Sequence, residues 1–233
     1  MIKDIKVVIL AGGFGTRLSE FTRTIPKPMV KVRGKPIILH IINHYRKYGC
    51  KHFIIASGYR GKIIKNFFKN KNKKFKVDVI DTGLKTMTGG RIKRLKNFLT
   101  EPFLLTYGDG LSNINLNKLI KFHNKNKKLI TLTAVRPPAR FGVIKINGNH
   151  VKYFREKNLL DSGWINGGFF VIEPKFLSLI KNDQTFLEQS PFKKATKMRQ
   201  MMAFKHHGFW QCMDTLRDKE ILEKKIRNKE HLE

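Results

Sequence analysis

The sequence predicts an α/β protein built on a doubly wound, mostly parallel sheet of the Rossmann-like kind. Three observations carry this. A continuous apolar run, Ile5–Leu10, opens the chain and breaks at Gly12-Gly13, the pattern of a parallel strand buried on both faces. Strand-like and helix-like segments alternate as far as residue 135, the order of a parallel sheet with crossover helices. From residue 136 the pattern changes to short β-rich runs, which read as a small extension of the same domain.

The elements follow in order. Pro36 to Gly49 predicts a helix, with proline at its start, Ile37, Ile41 and Tyr45 four residues apart, and glycine after its end. Phe53–Ala56 is the next strand and Ile63–Phe68 a short amphipathic helix. Val77–Ile80 and Phe103–Tyr107 are strands, Leu116–His123 a helix, and Leu129–Val135 a strand. Gly142–Ile146 and His150–Phe154 flank Asn147-Gly148-Asn149 and predict a hairpin. Ile165–Ile172 and Met201–Lys205 are strands, and Thr215–Arg227 a charged helix. No linker and no internal repeat divides the 233 residues, so one domain is expected over 1–233, a size that needs no disulfide or metal to fold.

Composition narrows the function. Lys and Arg number 48 and Asp and Glu 17, a net charge of +31, yet 41% hydrophobic and 11% aromatic residues exclude a disordered polycation. Lysine-rich runs at 69–74 and 125–128 read as solvated surface. A polyanionic partner is the competing reading, and nonspecific nucleic-acid binding at low salt is expected either way. Cys50 and Cys212 form no disulfide framework, which points to a reducing cytoplasm. No apolar run approaches ~18 residues and no signal peptide opens the chain, so no membrane span is expected.

The sharpest local signal is Leu10-Ala11-Gly12-Gly13-Phe14-Gly15-Thr16-Arg17, followed by Lys27 in Pro26-Lys27-Pro28. Three glycines in four positions let backbone N–H groups approach a phosphate, and Arg17 and Lys27 can neutralise its oxygens. The Walker pattern is absent, and the dinucleotide fingerprint fails at Leu18, where it needs glycine. Asp109 sits between Gly108 and Gly110 just past a strand, where open α/β sheets bind ligands. Asp214 precedes a helix and has capping of that helix as its ordinary alternative. Asp218, one turn on, reads as a salt-bridge partner, and Phe209-Trp210 as packing. His206-His207 and the cysteines lack the spacing of a zinc site.

GGFGTRL with PKPM and GKPI resembles the sugar-1-phosphate nucleotidyltransferases. Asp81-Thr82-Gly83, Met87-Thr88-Gly89-Gly90-Arg91, Thr106-Tyr107-Gly108-Asp109-Gly110, Arg140-Phe141-Gly142, Glu156-Lys157, Ile165-Asn166-Gly167-Gly168 and Gly208-Phe209-Trp210-Gln211 with Met213-Asp214-Thr215 narrow the resemblance to the glucose-1-phosphate cytidylyltransferases. These motifs span nearly the whole chain in order.

The resemblance implies a Mg²⁺-dependent reaction of CTP with glucose 1-phosphate, giving CDP-glucose and pyrophosphate, in a cytoplasmic homo-oligomer that serves polysaccharide synthesis. Residues 1–135 would bind nucleotide, 136–214 would form the sugar-phosphate side, and 215–233 the C-terminal helix. It implies that Leu10, Ala11, Gly12, Gly13, Phe14, Gly15, Thr16, Arg17, Lys27, Thr86, Arg91 and Gly108 meet the nucleotide, Arg17 and Lys27 catalytically. Glu156, Lys157, Asn166 and Gly167 would meet the sugar phosphate, and Asp109 and Asp214 the metal. The same reaction with another base or sugar, such as dTTP or GTP with a hexose 1-phosphate, is the nearest alternative; a non-catalytic regulatory or nucleic-acid-binding module is another. The chain departs from these relatives in a short segment at 69–80, in Asn158 after Glu156-Lys157, and in Cys212, both of the last two where proline is usual.

Overall fold

The computed structural model describes residues 4–69, 74–137, 142–155 and 163–227. Its main sheet has seven strands: β1 (Lys6–Ala11), β2 (His52–Ser57), β3 (Lys76–Asp81), β4 (Phe103–Tyr107), β5 (Ile130–Val135), β6 (Ile165–Ile172) and β7 (Met201–Lys205). Their order across the sheet is β7-β5-β6-β4-β1-β2-β3. All pairings are parallel except those of β6, which runs antiparallel to both β4 and β5. The doubly wound, mostly parallel sheet expected from the sequence is therefore present.

Alternation along β1 divides the core in two. Val7 and Ile9 point into one apolar cluster, Val8 and Leu10 into the other, as the period of two requires. The first cluster is covered by helices α1 (Ile37–Lys47), α2 (Gly61–Lys69), α4 (Leu116–Asn126) and α6 (Leu216–Arg227), which contribute Ile41, Ile64, Leu119 and Leu222. The second lies under α3 (Thr88–Arg94), α5 (Ser190–Lys197) and the 3-10 segment Pro174–Leu179, through Ile92, Ala195 and Phe176. Helix α1 shows the sequence logic plainly. Pro36 precedes it, Ile37, Ile38, Ile41, Ile42 and Tyr45 are its buried face, and Gly49 leaves it with φ 93°, a left-handed turn that glycine takes without strain.

The second half differs in part from the pattern read in the sequence. The Val143–Asn147 and His150–Arg155 hairpin forms and stands as its own two-stranded sheet. Ile165–Ile172 and Met201–Lys205 instead join the main sheet. The pairing of β6 with β5 shifts register between Asn166 and Phe170, where Gly168 has φ 79°. Asn166 itself is paired with Ala134, and its Oδ1 accepts from Gly168 N at 2.9 Å, which closes the irregularity just beyond it.

Phe170 on β6 is fully buried, with its ring 5.8 Å from those of Tyr107 and Phe192. Phe170→Ala should destabilise the protein by roughly 3–5 kcal/mol, read as a lower urea midpoint at an unchanged slope.

Candidate functional site

A cavity of about 630 Å³ opens at the sheet edge where the parallel strands end and β6 begins. Leu10, Ala11, Gly12, Gly13, Gly15, Thr16, Arg17, Lys27, Thr86, Arg91, Gly108, Asp109, Asn166 and Asp214 line it. Two expected residues stand aside from its lining. Phe14 turns its ring toward Tyr59, at 5.3 Å, and Gly167 offers its carbonyl to Trp210 Nε1 at 2.7 Å. Glu156 and Lys157 lie outside the described residues.

Three distant segments meet at Lys27. Its ammonium donates to Asp109 Oδ2 and to Asp214 Oδ1, both at 2.6 Å, and Arg17 Nη1 donates to Asp214 Oδ2 at 2.6 Å. Burial works against the charged Lys27, but the two carboxylates outweigh it and hold the pKa above the usual lysine value. The lysine side chain is only 12% exposed, whereas Arg17 is 74% exposed. Lys27 is therefore a fixed part of the site, and Arg17 a long arm at its mouth.

Local structure explains the meeting. Pro28, Met29 and Val30 are buried beside Lys27 and fix its backbone. Gly15 has φ 68°, and a Cβ there would stand 2.9 Å from Thr22 Cγ2 and 3.1 Å from Lys27 Cβ. Asp109 and Asp214 are brought together by a small strand pair, Gly110–Ser112 with Trp210–Cys212, in which Gly110 faces Cys212. Met213 N also donates to Asp109 O at 2.9 Å.

Asp214 does not cap the following helix. Thr215 and Asp218 do so reciprocally: Asp218 Oδ2 accepts from Thr215 N and Oγ1, and Thr215 Oγ1 accepts from Asp218 N. Asp218 Oδ2 accepts from Asp214 N as well, at 3.1 Å. Asp218 thus serves in a cap that anchors Asp214 N and leaves the Asp214 carboxylate for Lys27 and Arg17.

Arg91 forms the floor. It is 4% exposed. Nη1 donates to Ser57 O, Thr82 Oγ1 and Gly83 O, and Nη2 donates to Gly12 O at 2.9 Å. Burial pulls its pKa below the usual arginine value, with Asp81 opposing. These donors are spent on the protein, so Arg91 supports the glycine loop from beneath.

Two carboxylates that already share one cation, the Lys27 ammonium, have the chemistry to hold a hard divalent cation that takes its remaining ligands from phosphates and water. Among the described residues no group of three or more His, Cys, Asp or Glu forms a self-sufficient metal cage. The cavity walls also include Tyr107, Trp210 and Cys212, to which sequence reasoning assigned no binding role, and Phe186 and Glu188, which no motif covers. Trp210 both packs and faces the cavity. Burial, with Asp214 and Asp109 adding to it, pushes the Cys212 thiol up to about 11, so it is no nucleophile at neutral pH.

A Cβ added to Gly12 would stand 2.2 Å from Arg91 Nη1, whereas one on Gly13 meets nothing within 4 Å. Gly12→Ala should therefore cost roughly 1–3 kcal/mol of stability as an overpacked site, and Gly13→Ala close to none. Paired thermal denaturation of the two variants checks this; equal losses would contradict it.

Comparison with known proteins identifies the family. A family model described as nucleotidyl transferase matches residues 6–218. Glucose-1-phosphate cytidylyltransferase of Salmonella typhimurium is 45% identical over 94% of this chain and 95% of its own length. A probable glucose-1-phosphate cytidylyltransferase of Bacillus subtilis is 39% identical over 92% and 93%. The Salmonella alignment runs over 243 positions, more than the 233 residues here, so that relative carries residues this chain lacks. Among solved structures, a UDP-glucose pyrophosphorylase complexed with UDP-glucose has the same fold, with a TM-score of 0.76, 18% identity and coverage of 97% and 99%. The resemblance read from the motifs is borne out, and the chain belongs to the nucleotidyl transferase family.

Proposed function

We propose that this enzyme transfers a cytidylyl group from CTP to glucose 1-phosphate, releasing pyrophosphate and leaving CDP-glucose. The observation that carries the reading is Lys27 held between Asp109 and Asp214 at 2.6 Å from each, beside a glycine loop ending in Arg17. The Salmonella and Bacillus relatives, named for this activity, support the choice of base and sugar.

An oxygen of the sugar phosphate attacks the α-phosphorus, a new P–O bond forms, and the bond to the β-phosphate oxygen breaks. The attacking oxygen is already ionised, so no general base is needed. The work is to bring two polyanions together and to stabilise the departing pyrophosphate. The Gly12–Gly15 backbone offers N–H groups to phosphate oxygens. Arg17, exposed at the mouth, supplies positive charge to the leaving group, and Lys27 supplies it from within. Asp109 and Asp214 would hold Mg²⁺, which when bound shields the phosphate charge. Asn166, in the cavity lining, would meet the sugar phosphate.

The test is pyrophosphate release with glucose 1-phosphate and each nucleoside triphosphate in turn. CTP should be preferred by well over tenfold. Preference for another triphosphate would overturn the proposed specificity, and no release with any pairing would overturn the reaction. Arg17→Ala should lower kcat by ~10²–10³, as loss of one charge-stabilising donor does. Asp109→Asn should lower it at least as far, and wild-type turnover in that variant would remove Asp109 from the cation site.

A further inference from the structure

Glu188 is a carboxylate in the cavity that the reaction above does not use, and it lies in none of the motifs. The loop carrying it is fixed against α3. Arg94 Nε and Nη2 donate to the two oxygens of Asp183 at 3.0 and 2.6 Å, and the N–H groups of Gly89 and Gly90 donate to Thr185 O at 3.0 and 3.2 Å. A Cβ at Gly90 would stand 2.4 Å from Asp183 O, so the glycine pair is what allows the loop to dock so closely. Glu188 itself is tethered at both oxygens. Thr88 Oγ1 donates to Oε2 at 2.7 Å, and the Tyr107 hydroxyl donates to Oε1. Asn166 Nδ2 donates in turn to the Tyr107 hydroxyl at 3.3 Å.

This placement is unfavourable for phosphate. Among the described residues Glu188 pairs with no cation, unlike Asp109 and Asp214, and it faces a cavity that must admit two polyanions. Its chemistry is that of an acceptor. A carboxylate has about four lone-pair sites, and two are taken, both by neutral hydroxyls. The substrate donors that match the free sites are the hydroxyls of the hexose and the ribose and the amino group of cytosine. Glu188 is one link from Asn166 through the Tyr107 hydroxyl, on the side read as the sugar's, which favours a hydroxyl.

We propose that Glu188 receives a ring hydroxyl of a bound substrate sugar and selects for a ring hydroxylated at that position. The assignment rests on the nucleotidyl-transfer reading. The hydroxyl belongs either to the hexose phosphate or to the ribose of the nucleotide.

The experiment measures steady-state kinetics of the wild type, Glu188→Ala and Glu188→Gln. The substrates are CTP, its 2′-deoxy and 3′-deoxy forms, glucose 1-phosphate, and its analogues with fluorine replacing each ring hydroxyl in turn. Glu188→Ala should raise KM for one substrate by roughly 10–100-fold, as loss of a charge-assisted hydrogen bond does. Its kcat should stay within a few-fold of wild type, and Glu188→Gln should recover part of the loss. One analogue should cost the wild type a similar factor and cost Glu188→Ala nothing more. A fluoro-sugar in that role assigns the hexose, and a deoxynucleotide assigns the ribose. Unchanged KM for both substrates, or analogue penalties identical in wild type and Glu188→Ala, would overturn the assignment while an active wild type leaves the reaction standing. A wild type inactive with every pair would overturn the reaction itself.

Discussion

Two carboxylates cannot stand side by side ionised without a cation between them. Asp109 and Asp214 are placed in that position by the fold, and the Lys27 ammonium is what resolves it. Its partners lie 82 and 187 residues away along the chain, so the contact ties the glycine-loop segment to the end of β4 and to the start of α6. The small strand pair and the Thr215–Asp218 cap then fix the two carboxylates from behind. The ion pairs are partly exposed, and their worth to stability is modest. Their importance is positional: they gather Arg17, Lys27, Asp109 and Asp214 at one cavity.

Arg91 plays the complementary part under the loop. A buried guanidinium is costly unless its donors are satisfied, and here carbonyls and a hydroxyl from the ends of β1, β2 and β3 satisfy it. Gly12 and Gly58 have no room for a Cβ because Arg91 Nη1 fills the space, at 2.2 and 2.5 Å. The glycines at the ends of β1 and β2 thus serve the protein's own arginine. The shape of the loop at the cavity follows from that support.

Much of this was legible in the sequence. The apolar run of β1, the glycine loop, and Lys27 between two prolines each announce themselves through local chemistry. Asp109 and Asp214 stood out because acidic residues are few, and the ordered motifs paired them. What was not legible depended on contacts far along the chain. The direction of β6 is set by its two neighbours, since a buried apolar strand reads alike either way. Helix α3 carries Gly89-Gly90, which lower helix propensity, and only the docked 183–187 loop explains them. Arg91 lines the cavity, but its support of the loop was not legible, because nothing in its sequence surroundings shows donors turned toward carbonyls. Glu188 has no motif about it, and its place comes from Thr88 and Tyr107, 100 and 81 residues away. The capping role of Asp218, which read as a salt-bridge partner, was not legible because a capping box with aspartate departs from the usual glutamate.

The measurement that bears most directly on this account is Mn²⁺ binding to the nucleotide-free protein, followed by electron paramagnetic resonance, in the wild type and in Lys27→Met. If Lys27 is the resident cation of the Asp109–Asp214 pair, a divalent ion must displace it, and removing the ammonium leaves two carboxylates in want of a counter-charge. Binding should be tighter by roughly tenfold or more in Lys27→Met, and abolished when Asp109→Asn is added. Equal affinities in the wild type and Lys27→Met would contradict it.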